Sequence, residues 1–407
     1  MTTSSIFTAL EDQLEWQRET YRHFHQNPEL SGAEHETANY IAAELSAYGY
    51  QVHRMGGTGV VGVLQNGQGP VVLARADTDA LPVAEQSDLP YASKVPQVMH
   101  ACGHDMHISA LLGAAKLMSS HTAGWSGTYI ALFQPAEETA AGAQAMIDDG
   151  LVAKVPKPDV AFSQHVMSEE AGVVYTTAGP ILSAGDSLRI TVYGRGAHGS
   201  MPHNSVDPVV LAAAIVMRLQ TVVSREIQPG KFAVLTIGAL NAGSKSNIIS
   251  DRAELLLNLR TYDPQVRQTL ITAIERIVIG ECQAAGSPAE PKFEFYDQFP
   301  LTSNDQTVND KVTAAFTAHF GSERVRPAEP KTASEDFSRV PDAFGVPYTY
   351  WVVGSVPSHL YQKAAAEGTL GSLPSNHSPF FTPAIDPTLE TMTRTHLVAA
   401  LAYLKQQ

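Results

Sequence analysis

A chain of 407 residues exceeds one ordinary hydrophobic core and predicts two domains. Hydrophobic residues make up 44% and charged residues 17%, the balance of a folded globular protein. A formal net charge of −14 argues against a nucleic-acid partner and against docking on anionic lipid, since both need concentrated Lys and Arg.

Two cysteines, Cys102 and Cys282, cannot build a disulfide framework and suit a reducing cytoplasm. The opening Met1-Thr-Thr-Ser-Ser has no basic region followed by an apolar stretch, so no signal peptide is expected. The most apolar run, Pro208 to Met217, is about half the length of a membrane span. The expectation is a cytoplasmic protein without a membrane partner.

In chain order, residues 9 to 48 read as helical, broken at Asn27-Pro28 and Ser31-Gly32 and resumed from Glu34 to Tyr48. Val71 to Ala76 predicts a buried strand, Ile108 to Met118 a helix, Tyr129 to Phe133 a second strand and Val160 to Phe162 a third. This alternation predicts an α/β domain with a mainly parallel sheet covered by helices on both faces. Near residue 182 the texture changes. Leu188 to Val192 and Ala253 to Arg260 alternate apolar with polar, and helices are predicted over Asp207 to Thr221 and Pro264 to Ala285. That pattern predicts a smaller inserted α+β domain, with limits at 1–184, 185–296 and 297–407.

The chemistry concentrates in His100-Ala-Cys102-Gly-His104-Asp105-Met-His107. Fifteen histidines over 407 residues would place fewer than one in such a window on average; this one holds three, with a thiol and a carboxylate. On extended backbone Cys102 and His104 would point to one side, and thiolate with imidazole favours a borderline-soft ion such as Zn²⁺. His100 and His107 read as supporting residues. Glu137 and Glu138 follow the second strand. Adjacent carboxylates repel unless a cation or proton separates them, which suggests one ligand and one proton carrier, although a solvated turn would also fit. His165 is expected just after the third strand, and His377 lies in a predicted loop. Strand ends of an open α/β sheet converge on one crevice, which would gather these groups. The glycine patterns at Gly57 to Gly62 and Gly194 to Gly199 do not open helices, so no dinucleotide site is expected. His23 and His203 read as surface residues, and Cys282 as a packing residue.

Five motifs then fall in order along nearly the whole chain: Arg75-Ala-Asp-Thr-Asp-Ala-Leu-Pro82, His100 to Asp105, Gln134-Pro-Ala-Glu-Glu138, Gly196-Ala-His-Gly199 and Ser334-Glu-Asp-Phe-Ser338. Together with His25-Gln-Asn-Pro-Glu-Leu-Ser31 they resemble the zinc aminoacylase/carboxypeptidase superfamily, in its amidohydrolase branch with hippurate hydrolase and plant auxin-conjugate hydrolases. The resemblance implies a catalytic domain with an inserted dimerisation or lid domain. It implies that Cys102, His104, Glu138, His165 and His377 hold one or two divalent ions per subunit, Zn²⁺ first and Mn²⁺ or Co²⁺ as rivals, with Cys102 shared. Glu137 would be the general base. His198 matches a histidine that in relatives reaches a neighbouring subunit's site and binds the carbonyl oxygen. Asn247 and Arg260 match residues that hold the substrate's carboxylate or oxyanion. Much of the superfamily has His-x-Asp where this chain has Arg75-Ala-Asp77, so Asp77 is not expected to ligate.

The expected function is hydrolysis of N-acyl-L-amino acids to a carboxylic acid and a free amino acid by a homodimer. A dipeptidase or carboxypeptidase using the same site is the enzymatic alternative, and a non-catalytic metal- or ligand-binding protein the alternative of another class. The acyl pocket is expected around Pro347 to Trp351 and Leu360 to Leu373. N-acylglutamine, hippurate-like and auxin-conjugate substrates are the rivals.

Overall fold

Helix α1 (Thr3–Gln26) opens the described part of the chain, residues 3–404 of the computed structural model. It buries Ile6, Leu10, Tyr21 and Phe24. Its Gln13 and Gln17 donate to the carbonyls of Gly113 (3.0 Å) and Ser109 (3.1 Å). Those carbonyls belong to helix α3 (His104–Ser120), which is buried along almost its whole length. A Cβ at Gly113 would lie 1.8 Å from Gln17 Nε2, so a larger residue there would displace the Gln17 amide from its bond to Ser109. Helix α2 (His35–Ala47) follows the break at Asn27-Pro28.

The strands β1 (Gln51–Met55), β2 (Gly59–Asn66), β3 (Val71–Asp77), β4 (Gly127–Gln134) and β5 (Val160–Glu170) form most of an eight-stranded sheet. Its order is β1-β2-β4-β3-β5, then Tyr348–Val356, Val174–Thr176 and Val325–Pro327. The central strands β4, β3, β5 and Tyr348–Val356 run parallel, as expected, while β1 and β2 close one edge in antiparallel fashion. Parallel strands covered on both faces become continuous apolar runs, which is why β4 is buried at every residue. The same logic corrects one expectation. Pro347 to Trp351 is not a loop: Tyr348–Val356 is a buried central strand, and Trp351 Nε1 donates to Gln164 Oε1 at 2.9 Å. Composition does not separate an aromatic loop from an aromatic core strand.

Two compact units result. One contains the chain up to Ile181, Thr302–Pro330 and the chain from Asp336; the other contains Leu182–Leu301 with Lys331–Glu335. The second unit has a four-stranded antiparallel sheet in the order Ala233–Ala242, Arg252–Thr261, Ala184–Tyr193, Lys292–Phe299. Ala253, Leu255, Leu257 and Leu259 alternate inward and pack with helices Pro208–Glu226 and Pro264–Ala285. Asp207 and Asp263 cap these helices by accepting from backbone N–H groups of the first turn, ahead of Pro208 and Pro264. Helix Pro208–Glu226 has 19 residues, so it outruns the Pro208 to Met217 stretch and is long and apolar enough to cross a membrane by length and composition. Here Leu211, Ala212, Ile215, Leu219 and Val222 lie in the unit's own core, together with Cys282.

Candidate metal centre

β3 and β4 end side by side, with Asp77 paired to Gln134. The segment His100 to Gly103 enters α3 just beyond them. Gly103 sits at φ +83° and precedes the first helical residue, His104. The expected extended Cys102-Gly-His104 backbone is therefore absent, because a left-handed turn separates the two side chains. They instead meet a common partner: Cys102 groups with Glu138 and His377, and His104 with Glu137 and Glu138, the ligand atoms of each group lying within 4.8 Å of one another. His165 is also displaced from expectation. It lies inside β5, opposite Val352, and not beyond the strand's end. Its neighbour Gln164 is satisfied in the core by Trp351 and Thr395, so the strand continues through a polar pair that sequence reads as a stop.

Hydrogen bonds at the rear of the rings decide which nitrogens face the centre. His104 Nδ1 donates to the Asp79 carbonyl at 2.9 Å, leaving Nε2 forward. His165 Nδ1 donates to the Val166 carbonyl at 2.7 Å, and its Nε2 lies 3.4 Å from Cys102 Sγ. His377 Nε2 is 3.3 Å from Glu138 Oε1, and His104 Nε2 is 3.9 Å from the same oxygen. His104 Nε2 and Glu138 Oε1 are buried with no hydrogen-bond partner among the described residues. Such atoms are costly to bury unless something else completes them. His107 is different. Its Nε2 accepts from Val166 N at 2.9 Å and its Nδ1 bonds Asp77 Oδ1, so both nitrogens are engaged. His100 has both ring nitrogens buried without a hydrogen-bond partner among the described residues, and burial pushes its pKa down to about 4.

Supporting carboxylates come from distant segments. Asp79 Oδ2 accepts from Glu138 N (3.0 Å) and Ser31 Oγ (2.7 Å). Glu34, wholly buried, accepts from Gly32 N and Ala136 N, both at 2.9 Å, and from Thr58 Oγ1. It thereby fixes Ala136, a non-glycine residue at φ +48°, immediately before Glu137. Asp77 is held by Arg75 at 2.7 Å, and Arg75 Nε donates to Gln134 Oε1 at 3.0 Å. Glu34 and Asp79 are site residues that the sequence reading does not single out, because they act through backbone groups remote in the chain. The only trace is the motif containing Asp79.

Electrostatically the carboxylates of the centre raise the pKa of both Cys102 and His104. Burial, then Glu138 and Glu137, push the Cys102 thiol well up. Burial opposes the charge on His104, yet Asp77, Asp79 and Glu138 raise its pKa to about 10. Burial also works against ionised Asp77, but His104, His107 and Arg75 hold it well below the usual carboxylate range. A divalent cation placed among Cys102, His104, Glu138, His165 and His377 would answer the thiol, the orphaned carboxylate oxygen and the orphaned imidazole nitrogen together. The donor set fits such an ion.

The pattern of Peptidase family M20/M25/M40 matches residues 73–368. This chain belongs to that family. Among relatives of the M20 chain, the hippurate hydrolase of Campylobacter jejuni is 40% identical over 329 residues, covering 80% of this chain and 85% of that one. Thermostable carboxypeptidase 2 of Saccharolobus solfataricus is 38% identical over 331 residues, covering 80% and 82%. A solved Bacillus subtilis M20 protein, described as a dinuclear metal-binding peptidase, shares 28% identity and a TM-score of 0.76, covering 98% of each chain. The M20 chain is accordingly a metal-dependent hydrolase of amide bonds acting on small molecules, and the non-catalytic reading falls away.

The remaining expected site residues of the M20 chain lie in the second unit. His198 sits on a two-residue strand paired with Ile248–Ile249, and its Nδ1 accepts from Ser200 N at 3.1 Å. His198 and Asn247 line one concavity of about 700 Å³, with Ala197, Ser244 and Ile249. Arg260 is not in that lining. It donates to Asn258 Oδ1 at 2.9 Å and bonds Ser334, and burial draws its pKa down. Gly185 makes room for it, since a Cβ there would lie 2.8 Å from Arg260 Nη1.

Proposed function

We propose that the protein is an aminoacylase: it hydrolyses N-acyl-L-amino acids, holding Zn²⁺ through Cys102, His104, Glu138, His165 and His377. The observation that carries this reading is the pair of buried atoms without a hydrogen-bond partner among the described residues, His104 Nε2 and Glu138 Oε1, gathered with the Cys102 and His377 donors. A bound divalent ion supplies Lewis acidity and lowers the pKa of water to about 7. Glu137, 5% exposed and grouped with His104 and Glu138, takes the attacking water's proton and returns it to the leaving amine. His198 donates to the developing oxyanion and Asn247 assists. Arg260 pairs with the free α-carboxylate, which selects amino-acid amides over simple amides. The working form is a cytoplasmic homodimer. Its support is the apolar outer face of helix Pro208–Glu226, where Val210 is 66% and Met217 72% exposed, beside the sheet-edge strand Ala233–Ala242.

The test is release of free amine from N-acyl amino acids, peptides with a free C-terminus and simple amides, before chelation, after it and after metal return. Turnover of acyl amino acids that chelator abolishes and zinc restores supports the reading. Preference for peptides would favour the carboxypeptidase alternative, for which the Saccharolobus relative speaks. Within this scheme Glu137→Gln keeps its metal content and loses about 10²–10⁴ in turnover. Substantial activity in that variant, with metal bound, removes Glu137 from the proton-carrying role.

A further inference from the structure

Three of the proposed ligands sit on segments far apart in the chain: Cys102 before α3, His165 within β5 and His377 in the loop that follows Pro374. His377 is the least enclosed of them, with its side chain 55% exposed, and its backbone sits at φ +70°. Apart from Glu138 Oε1, 3.3 Å from its Nε2, the ring's position depends on how the main chain around it is anchored. Two bonds act at the residue itself and its predecessor. His377 N donates to the Ala101 carbonyl at 2.8 Å. The second is the side chain of the preceding residue. Asn376 Nδ2 lies 3.1 Å from the Cys102 carbonyl, 3.0 Å from the Val166 carbonyl and 3.8 Å from Cys102 Sγ.

The Val166 carbonyl also accepts from His165 Nδ1 at 2.7 Å, the bond that turns His165 Nε2 toward Cys102. One amide group thus bonds the Cys102 peptide, fixes the carbonyl that sets the His165 tautomer and is covalently joined to His377. Its two N–H groups match the two carbonyls, and the sulfur lies at the outer edge of a shared N–H···S contact.

We infer that Asn376 is a positioning residue of the metal centre, registering the Cys102, His165 and His377 segments and donating to the Cys102 sulfur. The inference rests on the ligand set proposed above. Supporting hydrogen bonds of this kind typically change metal affinity by about 10–100-fold. Removing the amide should loosen the ion and alter the sulfur's donor strength while leaving the two main cores intact.

The experiment is cobalt(II) titration of the full-length metal-free protein, comparing the parent with Asn376→Ala. It reads the thiolate-to-cobalt charge-transfer band, and affinity by chelator competition, with thermal unfolding of the metal-free forms alongside. The expected result is a band shifted in the variant and affinity weaker by about 10–100-fold. A band and affinity equal to the parent's overturn the inference, as does a lower metal-free midpoint with an unmoved band, which would mark a merely structural side chain. Absence of a thiolate band in the parent overturns the ligand set itself, a failure separate from that of Asn376. Should Asn376→Ala fail to fold, Asn376→Ser is judged by the same two readouts.

Discussion

Asp79 shows how a single side chain organises the centre without facing it. It takes the Glu138 amide on one oxygen and lies beside His104 Nδ1 with its other oxygen, so a carboxylate ligand and an imidazole ligand share one support. His25 has a comparable role farther from the centre. It is wholly buried, with Nδ1 2.6 Å from Asp105 Oδ2 and Nε2 3.2 Å from Glu85 Oε1. Glu85 in turn accepts from Ser93 N at 2.6 Å, which ties the irregular segment before His100 to α1. Burial disfavours the charged ring, but the two carboxylates raise its pKa to about 9, above the ordinary 6.5. A raised folded pKa gives stability that is complete below pH 6.5 and is lost as pH climbs toward about 9. Thermal unfolding of the parent should therefore fall through that window, and His25→Gln should flatten the fall. An unchanged slope in the variant would assign the pH dependence to another group.

At the scale of elements, the centre is built where β3, β4 and β5 meet the start of α3, and Gly103 makes the joint. Its φ of +83° is unfavourable for a side chain, and a Cβ would come within 2.4 Å of Val166 Cγ1. Val166 follows His165 and holds the carbonyl that orients it, so the strain would be delivered to two proposed ligands at once. We expect Gly103→Ala to cost about 1–3 kcal/mol of stability and to lower metal content as well. Denaturant unfolding and metal analysis would check this, and a variant with parental values of both would show that the turn has slack. Ala136 and His377, also at positive φ, lie at proposed functional groups in the same way. Their strain is held by Glu34 and by the Ala101 carbonyl, respectively.

For the whole molecule, the exposed face of helix Pro208–Glu226 is the feature that a lone chain leaves unexplained. Replacing Val210 and Met217 together by Glu should convert the proposed dimer into monomers in sedimentation, with the fold retained because both side chains point outward. If His198 serves a neighbouring subunit, the same substitution should depress turnover, and mixing His198→Ala with Glu137→Gln subunits, each impaired alone, should recover part of the parental activity. A parent that sediments as a monomer with full activity would dispose of both ideas.

Much of this architecture is legible in the residues alone. The parallel strands announce themselves as apolar runs because burial on both faces leaves no polar phase, and the inserted unit announces itself by alternation because its sheet has one covered face. The density of thiol, imidazole and carboxylate from His100 to His107 points to a metal because those groups are rarely buried together without one. What the sequence does not contain is the geometry between segments. That Gly103 turns the chain, that His165 lies within a strand, and that Pro347 to Trp351 is core depends on which strand lies beside which. The supporting roles of Glu34, Asp79 and Asn376 are hidden for the same reason, even though Asp79 lies in a motif: each acts on a peptide group tens or hundreds of residues away. The sequence determined the chemistry available and the periodicity of the elements, which are local properties; only the tertiary structure decided which atoms meet, because that is set by packing across the whole chain.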